Sequence, residues 1–248
     1  MPFTFSHPAA ILPFSYLWEK KFSATGLILG SVAPDFEYFM RFHNASYHSH
    51  TWAGIFWFDL PAGIILCFIF HDVVKTPFIM NLPGFFHKRF ASYLSFNWKK
   101  YFIQHWFIVF YSLLIGILSH LLLDRFTHQS YRFFNAVPAL KDSLEPGFHP
   151  NRLYRLIQVS YSLIGLGIIG WAVWKLPQDN GISYPLNTGP YWILLGFMAT
   201  SILGIIILAN GFEYVDWIIA VISSLLISLT ATSFLMLTDK WVLIRGWR

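Results

Sequence analysis

The sequence predicts an all-α fold, namely a polytopic helical membrane protein with about five transmembrane helices plus an N-terminal interfacial or re-entrant helical segment. Hydrophobic residues make up 56% of the 248-residue chain and charged residues only 12%, whereas a soluble domain carries about 25% charged residues. Aromatic residues, at 20%, are typical of proteins whose rings lie at membrane–water interfaces. Five apolar runs also reach the length of about 20 residues that a membrane-spanning helix needs.

The first 50 residues predict short helices that do not cross the bilayer. Ser6 precedes a His-Pro pair and is suited to cap a helix that begins there. Residues 22–33 are too short to span alone, and with residues 8–18 they predict a helical hairpin at the interface. Another short segment starts after Pro34.

The five predicted spans contain few charged residues. They cover roughly residues 52–71, 101–123, 153–174, 190–210 and 215–238. In the first span, Asp59 is costly unless it faces the bundle or water, and Pro61 frees a backbone carbonyl. We therefore predict one integrated membrane domain with two parts, a metal-site half over residues 1–152 and a three-helix bundle over residues 153–248.

Span counting places residues 1–51 and 124–152 on the same side of the membrane. Counting Arg155 just inside the third span, that side carries eight Lys and Arg residues and the other side carries nine, so the positive-inside rule does not set the orientation. The net charge of +5 favours anionic lipid heads, and membrane lipid is the expected partner. We expect no nucleic-acid partner, because no basic cluster is long enough for such a module.

The stretch SHLLLDRFTH ends the second span with an unusual set of ionisable residues. His120, Asp124 and His128 are spaced i, i+4, i+8 and fall within about 80° of one helix face. Imidazole and carboxylate together suit zinc, with manganese or iron as alternatives. The competing interpretation is that these residues end the helix in the headgroup region, where a cationic histidine complements the helix dipole.

Three N-terminal clusters supply further ligand-type side chains on the same side. They are FSHPAA with His7, GSVAPDFEYF with Asp35 and Glu37, and YHSHT with His48 and His50. Together with the second span they could hold one metal ion with supporting groups to spare, or two ions with three protein ligands each.

Several of these residues also have a structural interpretation. His7 could be a polar residue at a helix start, and Asp35 could place a negative charge at a helix N-terminus. Glu37 lies about 200° from Asp35 on a helix, which favours a general base or a supporting role. His48 and His50 point the same way only in extended backbone, and Asp59 could orient a histidine from behind the site.

The motifs FTFSHPAA, GSVAPDFEYF, SHT, FDLP and the H-x-x-x-D of SHLLLDRFTH resemble domain-of-unknown-function family 4184, a bacterial membrane family. The resemblance is close through about residue 150 and implies a bacterial cytoplasmic, or inner, membrane location. That family in turn resembles the membrane-bound metal-dependent hydrolases. The resemblance implies ligand-type positions at His7, Asp35, His50, His120 and Asp124, although the short H-S-H-T block leaves His48 and His50 open.

The leading functional hypothesis is a metal-dependent hydrolase at the membrane interface, acting on a phospholipid or a lipid-linked phosphate. It needs a divalent cofactor, with zinc expected as one or two ions. Glu37 and Asp35 are the candidate catalytic residues, and a spare histidine could also transfer protons. The candidate supporting residues are Asp59, Ser6 and Thr51. The candidate phosphate-binding residues are Arg41 and Arg125.

Two other classes of function remain open. The first is a divalent-cation or proton transporter, with Asp59 and the His/Asp face as its pathway. The ligand-type clusters lie at one membrane edge, however, whereas a pathway needs polar groups across the whole thickness. The second is a non-catalytic membrane protein in which the metal is structural.

Overall fold

In the computed structural model of the chain, each element of the described part is helical, which confirms the predicted all-α class. The structure describes residues 3–17, 21–128, 150–179, 181, 187–211 and 216–238. The elements are α1 (Pro8–Leu17), α2 (Ala24–Gly30), α3 (Phe36–Arg41), α4 (Trp52–Asn81), α5 (Gly84–Phe90), α6 (Trp98–His128), α7 (Pro150–Lys175), α8 (Gly189–Asn210) and α9 (Trp217–Thr238). Short 3₁₀ turns lie at Thr4–Ser6, Ala33–Asp35 and Ala91–Ser95.

Five of these helices are long and apolar enough to cross a membrane, as predicted. The candidate spans are Trp52–Asn81, Trp98–Arg125, Leu156–Lys175, Gly189–Asn210 and Trp217–Leu237. The predicted hairpin over residues 8–18 and 22–33 is formed by α1 and α2, which pack together. The protein is therefore of the integral membrane type.

The first span is longer than the predicted 52–71, because α4 continues to Asn81. The charge of Lys75 does not end the helix, since its Nζ donates a hydrogen bond to Phe96 O at 2.6 Å. Two π-helical segments, Ile55–Asp59 and Ile69–Val74, lie within α4. The first of them precedes Pro61, whose ring nitrogen cannot donate to the helical ladder.

The helices belong to two units. The first unit comprises Met1–Asp35, His48–Ile64 and His105–Lys175. Its apolar core contains Ala33, Ile55, Leu60 and Ile117. The α6 backbone departs from helical geometry at His105, with φ −133° and ψ 28°.

The second unit comprises Phe36–Tyr47, Ile65–Gln104 and Leu176–Arg248. Here α9 packs on α8 through Ala220 and Ile206, and its Ser223 donates to Phe39 O of α3 at 2.9 Å. Because these two units interleave along the chain, the predicted division at residue 152 stays a prediction.

Glycines let α2 approach α6 at backbone distance in the first unit. A Cβ at Gly116 of α6 would lie 2.7 Å from Ser31 N and would also collide with Leu27 O. Beside this contact, Ser112 Oγ accepts a hydrogen bond from Ser23 N at 2.9 Å. Small residues with a side-chain hydrogen bond are a typical way to join helices in a membrane.

Replacing Gly116 by alanine is expected to destabilise the first unit. The added methyl group meets backbone atoms that cannot rotate away, so the free energy of unfolding should fall by about 1–3 kcal/mol. Thermal unfolding of the detergent-purified protein measures the effect. The matched control is Gly167→Ala on α7, where a Cβ meets no atom within 4 Å. Equal unfolding temperatures for the two variants would contradict the close contact.

Candidate metal centre

Four ionisable side chains of the first unit converge on one point. They are Asp35, His50, His120 and Asp124, whose ligand atoms all lie within 4.8 Å of one another. Asp35 ends the 3₁₀ turn before α3, and His50 lies just ahead of α4. His120 and Asp124 lie one turn apart on α6, so the i, i+4 spacing in the sequence supplies one wall of the centre.

Four of the six separations between these atoms are close to those of a metal coordination shell. His120 Nε2 is 3.4 Å from Asp35 Oδ1 and 3.5 Å from Asp124 Oδ2. His50 Nε2 is 3.3 Å from Asp124 Oδ2 and 3.7 Å from Asp35 Oδ1. Donors that bind tetrahedrally at about 2.0–2.2 Å lie about 3.3–3.6 Å from one another. Three of the four distances fall in that range and the fourth lies just above it.

The far side of each histidine ring is held by an oxygen atom. His120 Nδ1 donates to Ser31 O at 2.8 Å, and His7 Nδ1 donates to Thr4 O at 3.1 Å. Because a carbonyl oxygen only accepts, the hydrogen is on Nδ1, and in a neutral ring Nε2 presents its lone pair. His50 Nδ1 is hydrogen-bonded to Ser49 Oγ at 2.9 Å, a contact in which either atom can be the donor. Metal-binding histidines are oriented by such contacts.

Buried atoms at the centre lack hydrogen bonds. His7 Nε2, Asp35 Oδ1 and His120 Nε2 are buried and make no hydrogen bond within the described part of the chain. An unsatisfied buried polar group costs about 1–3 kcal/mol. Lone pairs of imidazole and carboxylate that face each other also repel, and a cation between them removes both costs. The residues present therefore fit a divalent ion.

The charges of the centre also fit a divalent cation. Two carboxylates and neutral imidazoles leave a net charge of −2, which one divalent ion neutralises. Burial raises the pKa of the Asp35 carboxyl, but positive charge beside it, such as that of a protonated His120, and the hydrogen bond from Thr4 bring the pKa below its ordinary value. Thr4 Oγ1 donates to Asp35 Oδ2 at 2.5 Å. A protonated His120 could supply the positive charge, but distances of 3.4–3.5 Å exceed the roughly 2.8 Å of a charge-assisted hydrogen bond.

The structure brings His50, and not His48, into the four-residue group among the described residues. His50 has φ 62°, a left-handed backbone conformation that is uncommon outside glycine and that costs about 1–3 kcal/mol. His48 instead contacts Trp57 edge-on, with ring centroids 4.5 Å apart. Thr51, a predicted supporting residue, caps α4 by accepting from Gly54 N and donates to His48 O, each at 2.9 Å.

His7 lies beside the group, on the other oxygen of Asp124. Its Nε2 is 3.5 Å from Asp124 Oδ1, and its ring stacks on His120 with centroids 4.2 Å apart. His7 thus contacts the centre without belonging to the four converging donors. The neighbouring Ser6, another predicted supporting residue, donates to Phe3 O at 2.7 Å.

One edge of the centre is accessible. The side chains of His50 and Asp124 are 20% and 12% exposed, whereas those of His7, Asp35 and His120 are buried. His50 and Asp124 also lie at the ends of two candidate spans, which begin at Trp52 and end at Arg125. The centre therefore lies at the ends of two candidate spans, and His50 and Asp124 form its accessible edge.

Two predicted residues of the second unit interact with each other. Glu37 Oε1 accepts from Arg41 Nε at 2.9 Å and from Tyr47 N at 3.0 Å, and its Oε2 accepts from Ser46 Oγ at 3.2 Å. These bonds hold the segment that follows α3. The roles of Glu37 as a general base and of Arg41 as a phosphate ligand stay predictions.

The structure describes the remaining candidate residues to different extents. Asp59 is buried in the first π-helical segment of α4, and its predicted supporting role stays a prediction. Arg125 is exposed at the end of the second span. His128 ends α6, but its side chain lies outside the described residues.

Sequence reasoning missed Thr4 and Tyr161. Thr4 contributes both its hydroxyl to Asp35 and its carbonyl to His7, and its only signal was its place within FTFSHPAA. Tyr161 lies edge-on to His7, with ring centroids 6.0 Å apart. No pattern marked Tyr161, because it lies in a span that reads as an apolar helix.

Fold and site together define a helical protein of the integral membrane type that carries a buried His/Asp cluster able to bind a metal ion. The chain belongs to the family described as domain of unknown function DUF4184, whose model matches residues 1–238. Neither a curated protein nor a solved structure matches the chain.

Removing His120 is expected to abolish metal binding. Wild type should retain about one divalent ion per chain, and His120→Ala should bind it more than about 100-fold more weakly, since even loss of a supporting group costs 10–100-fold. Elemental analysis and competition titration with a zinc chelator measure this. The control is His105→Ala on the same helix, about 22 Å away. Equal metal content in all three proteins would contradict the site.

His48 and His50 provide a test within a single motif. His50→Ala should weaken zinc binding, because the ring in the four-donor group is lost. His48→Ala should leave zinc affinity within about twofold of wild type, since its ring packs on Trp57. The same chelator titration compares the two variants. Loss of zinc affinity in His48→Ala alone would show that His48, and not His50, binds the metal.

Proposed function

We propose that the protein is a metal-dependent hydrolase at the membrane edge, acting on a phospholipid or a lipid-linked phosphate. The observation that carries the proposal is the buried His/Asp group with donor separations of 3.3–3.7 Å. Its position at the ends of two candidate spans supports a substrate that enters from the interface. Its partly exposed edge supports access to that substrate.

Four side chains would hold the ion, namely Asp35, His50, His120 and Asp124. Two nitrogen and two oxygen donors suit zinc, and manganese or iron can use the same donors. Since the four donors fit within one coordination shell, we expect one ion. When bound, such an ion polarises a phosphoryl oxygen and lowers the pKa of water towards neutrality.

The chain itself supplies orientation. Ser31 O and Thr4 O each fix a histidine ring, and the Thr4 hydroxyl fixes Asp35. Donors held in this way do not have to reorganise when a reaction begins. His7 contacts Asp124 Oδ1 outside the four-donor group and is the spare histidine best placed to take up a proton there.

A structural metal site is the second candidate. Four protein donors fill a tetrahedral shell, which is typical of structural sites, whereas catalytic zinc usually keeps one position open. The exposure of His50 and Asp124 favours a centre that can admit a reactant. Turnover is therefore the measurement that separates the two functions.

The hydrolase proposal is tested with zinc-loaded protein in nanodiscs. Phosphatidic acid, phosphatidylglycerol and a polyprenyl phosphate are supplied as substrates, and released phosphate or alcohol is measured. We expect product with at least one substrate, lost on chelation and reduced by at least about 100-fold in Asp124→Asn, because that variant weakens the metal site. His105→Ala should retain activity.

Two other outcomes would contradict the hydrolase. If zinc raises the unfolding temperature of wild type but not of Asp124→Asn, and no substrate is turned over, the ion is structural. If proteoliposomes show zinc flux that Asp124→Asn lacks, again without turnover, the protein is a transporter.

A further inference from the structure

Tyr161 of α7 has a buried hydroxyl group without a hydrogen bond. The oxygen is sequestered and finds no partner within the described residues. Buried tyrosines usually pair their hydroxyl with an acceptor, because desolvating it without one is costly. A phenylalanine would pack equally well in a helix that needs only an apolar ring. Within the described part of the chain the hydroxyl is therefore left available to a ligand.

The ring of Tyr161 lies beside His7, next to the candidate metal centre. Its centroid is 6.0 Å from that of His7, in an edge-on arrangement with an interplanar angle of 66°. The Asp124 carboxylate is near enough to interact electrostatically with the hydroxyl. Tyr161 therefore lies on the side of the centre where His7 and Asp124 contact each other.

The N-terminal turn fixes Tyr161 in this place. Phe3 N donates to Ser162 Oγ at 2.9 Å, and a Cβ at Gly165 would lie 2.9 Å from Ser6 O. The two contacts hold α7 against the turn that leads into His7. The same turn therefore sets the positions of His7 and of the phenol ring.

The geometry points to Tyr161 as the hydrogen-bond donor to an anionic oxygen of a phosphoryl group held at the metal centre. This inference rests on the proposed function and adds a residue that contacts the ligand. A phenol is protonated near neutral pH and donates one hydrogen bond. Donors placed in a water-poor site contribute strongly to holding an anionic oxygen. Free phosphate and a lipid phosphate share this chemistry.

The test compares wild type with Tyr161→Phe, which removes only the oxygen. Both proteins are loaded with Co²⁺, whose visible spectrum reports the metal site, and titrated separately with inorganic phosphate and with short-chain phosphatidic acid. We expect Co²⁺ affinity to change by less than about twofold and affinity for the phosphoryl ligand to fall about 10-fold or more, as expected for a hydrogen bond to a charged group. Tyr111→Phe, whose ring packs on Phe22 and Phe107 in the same unit, is the matched control.

Each outcome bears on the inference. A loss of affinity for phosphatidic acid alone supports Tyr161 as a donor to a lipid phosphate, and a loss for both probes supports a donor to any phosphoryl group. Unchanged affinity for both probes in Tyr161→Phe overturns the inference and leaves the hydrolase proposal standing. Weaker Co²⁺ binding in Tyr161→Phe overturns it as well, since the role is then structural. Failure of wild type to bind Co²⁺ overturns both.

Discussion

The interaction on which the first unit depends is the meeting of two buried carboxylates with histidine Nε2 atoms. Asp35 and Asp124 bring two negative charges into a place where water is scarce, and isolated charges are expensive there. The rings of His50 and His120 face them with their Nε2 atoms, and in a neutral His120 ring that atom carries a lone pair. Positive charge between the groups would stabilise this arrangement. A divalent ion would provide that charge at the observed separations.

The packing of helices supports this meeting at several points. Gly116 lets α2 approach α6 near Ser31, and one helical turn further on, Ser31 O receives the hydrogen bond of His120. Thr4, at the start of the N-terminal turn, contacts both Asp35 and His7. A helix contact made possible by glycine and a single 3₁₀ turn therefore orient three of the ionisable groups. The strained left-handed backbone of His50 orients a fourth ionisable group, the imidazole of His50 itself.

Asp35 and Glu37 show that neighbouring acids can have different tasks. Asp35 faces His50 and His120 in the first unit. Glu37 belongs to the second unit, where hydrogen bonds from Arg41, Ser46 and Tyr47 engage both of its oxygens. The angle of about 200° between these positions on a helix anticipates this separation. The residue types alone do not predict this separation, because both residues carry carboxylates and belong to one short motif.

The sequence by itself determined the class of fold and one wall of the centre. Apolar runs report spans directly, since a membrane requires about 20 apolar residues, and i, i+4 spacing places His120 and Asp124 on one face of any helix. The sequence did not predict the extension of α4 to Asn81, because the hydrogen-bond acceptor of Lys75, Phe96 O, lies 21 residues further along the chain.

Only the tertiary structure decided between His48 and His50 and revealed Thr4 and Tyr161. The choice between the two histidines depends on a left-handed backbone angle at His50, which short-range pattern does not encode. Tyr161 meets His7 across 154 positions of sequence, and such contacts arise from helix packing. Local periodicity fixes which residues share a face, whereas packing decides which faces meet.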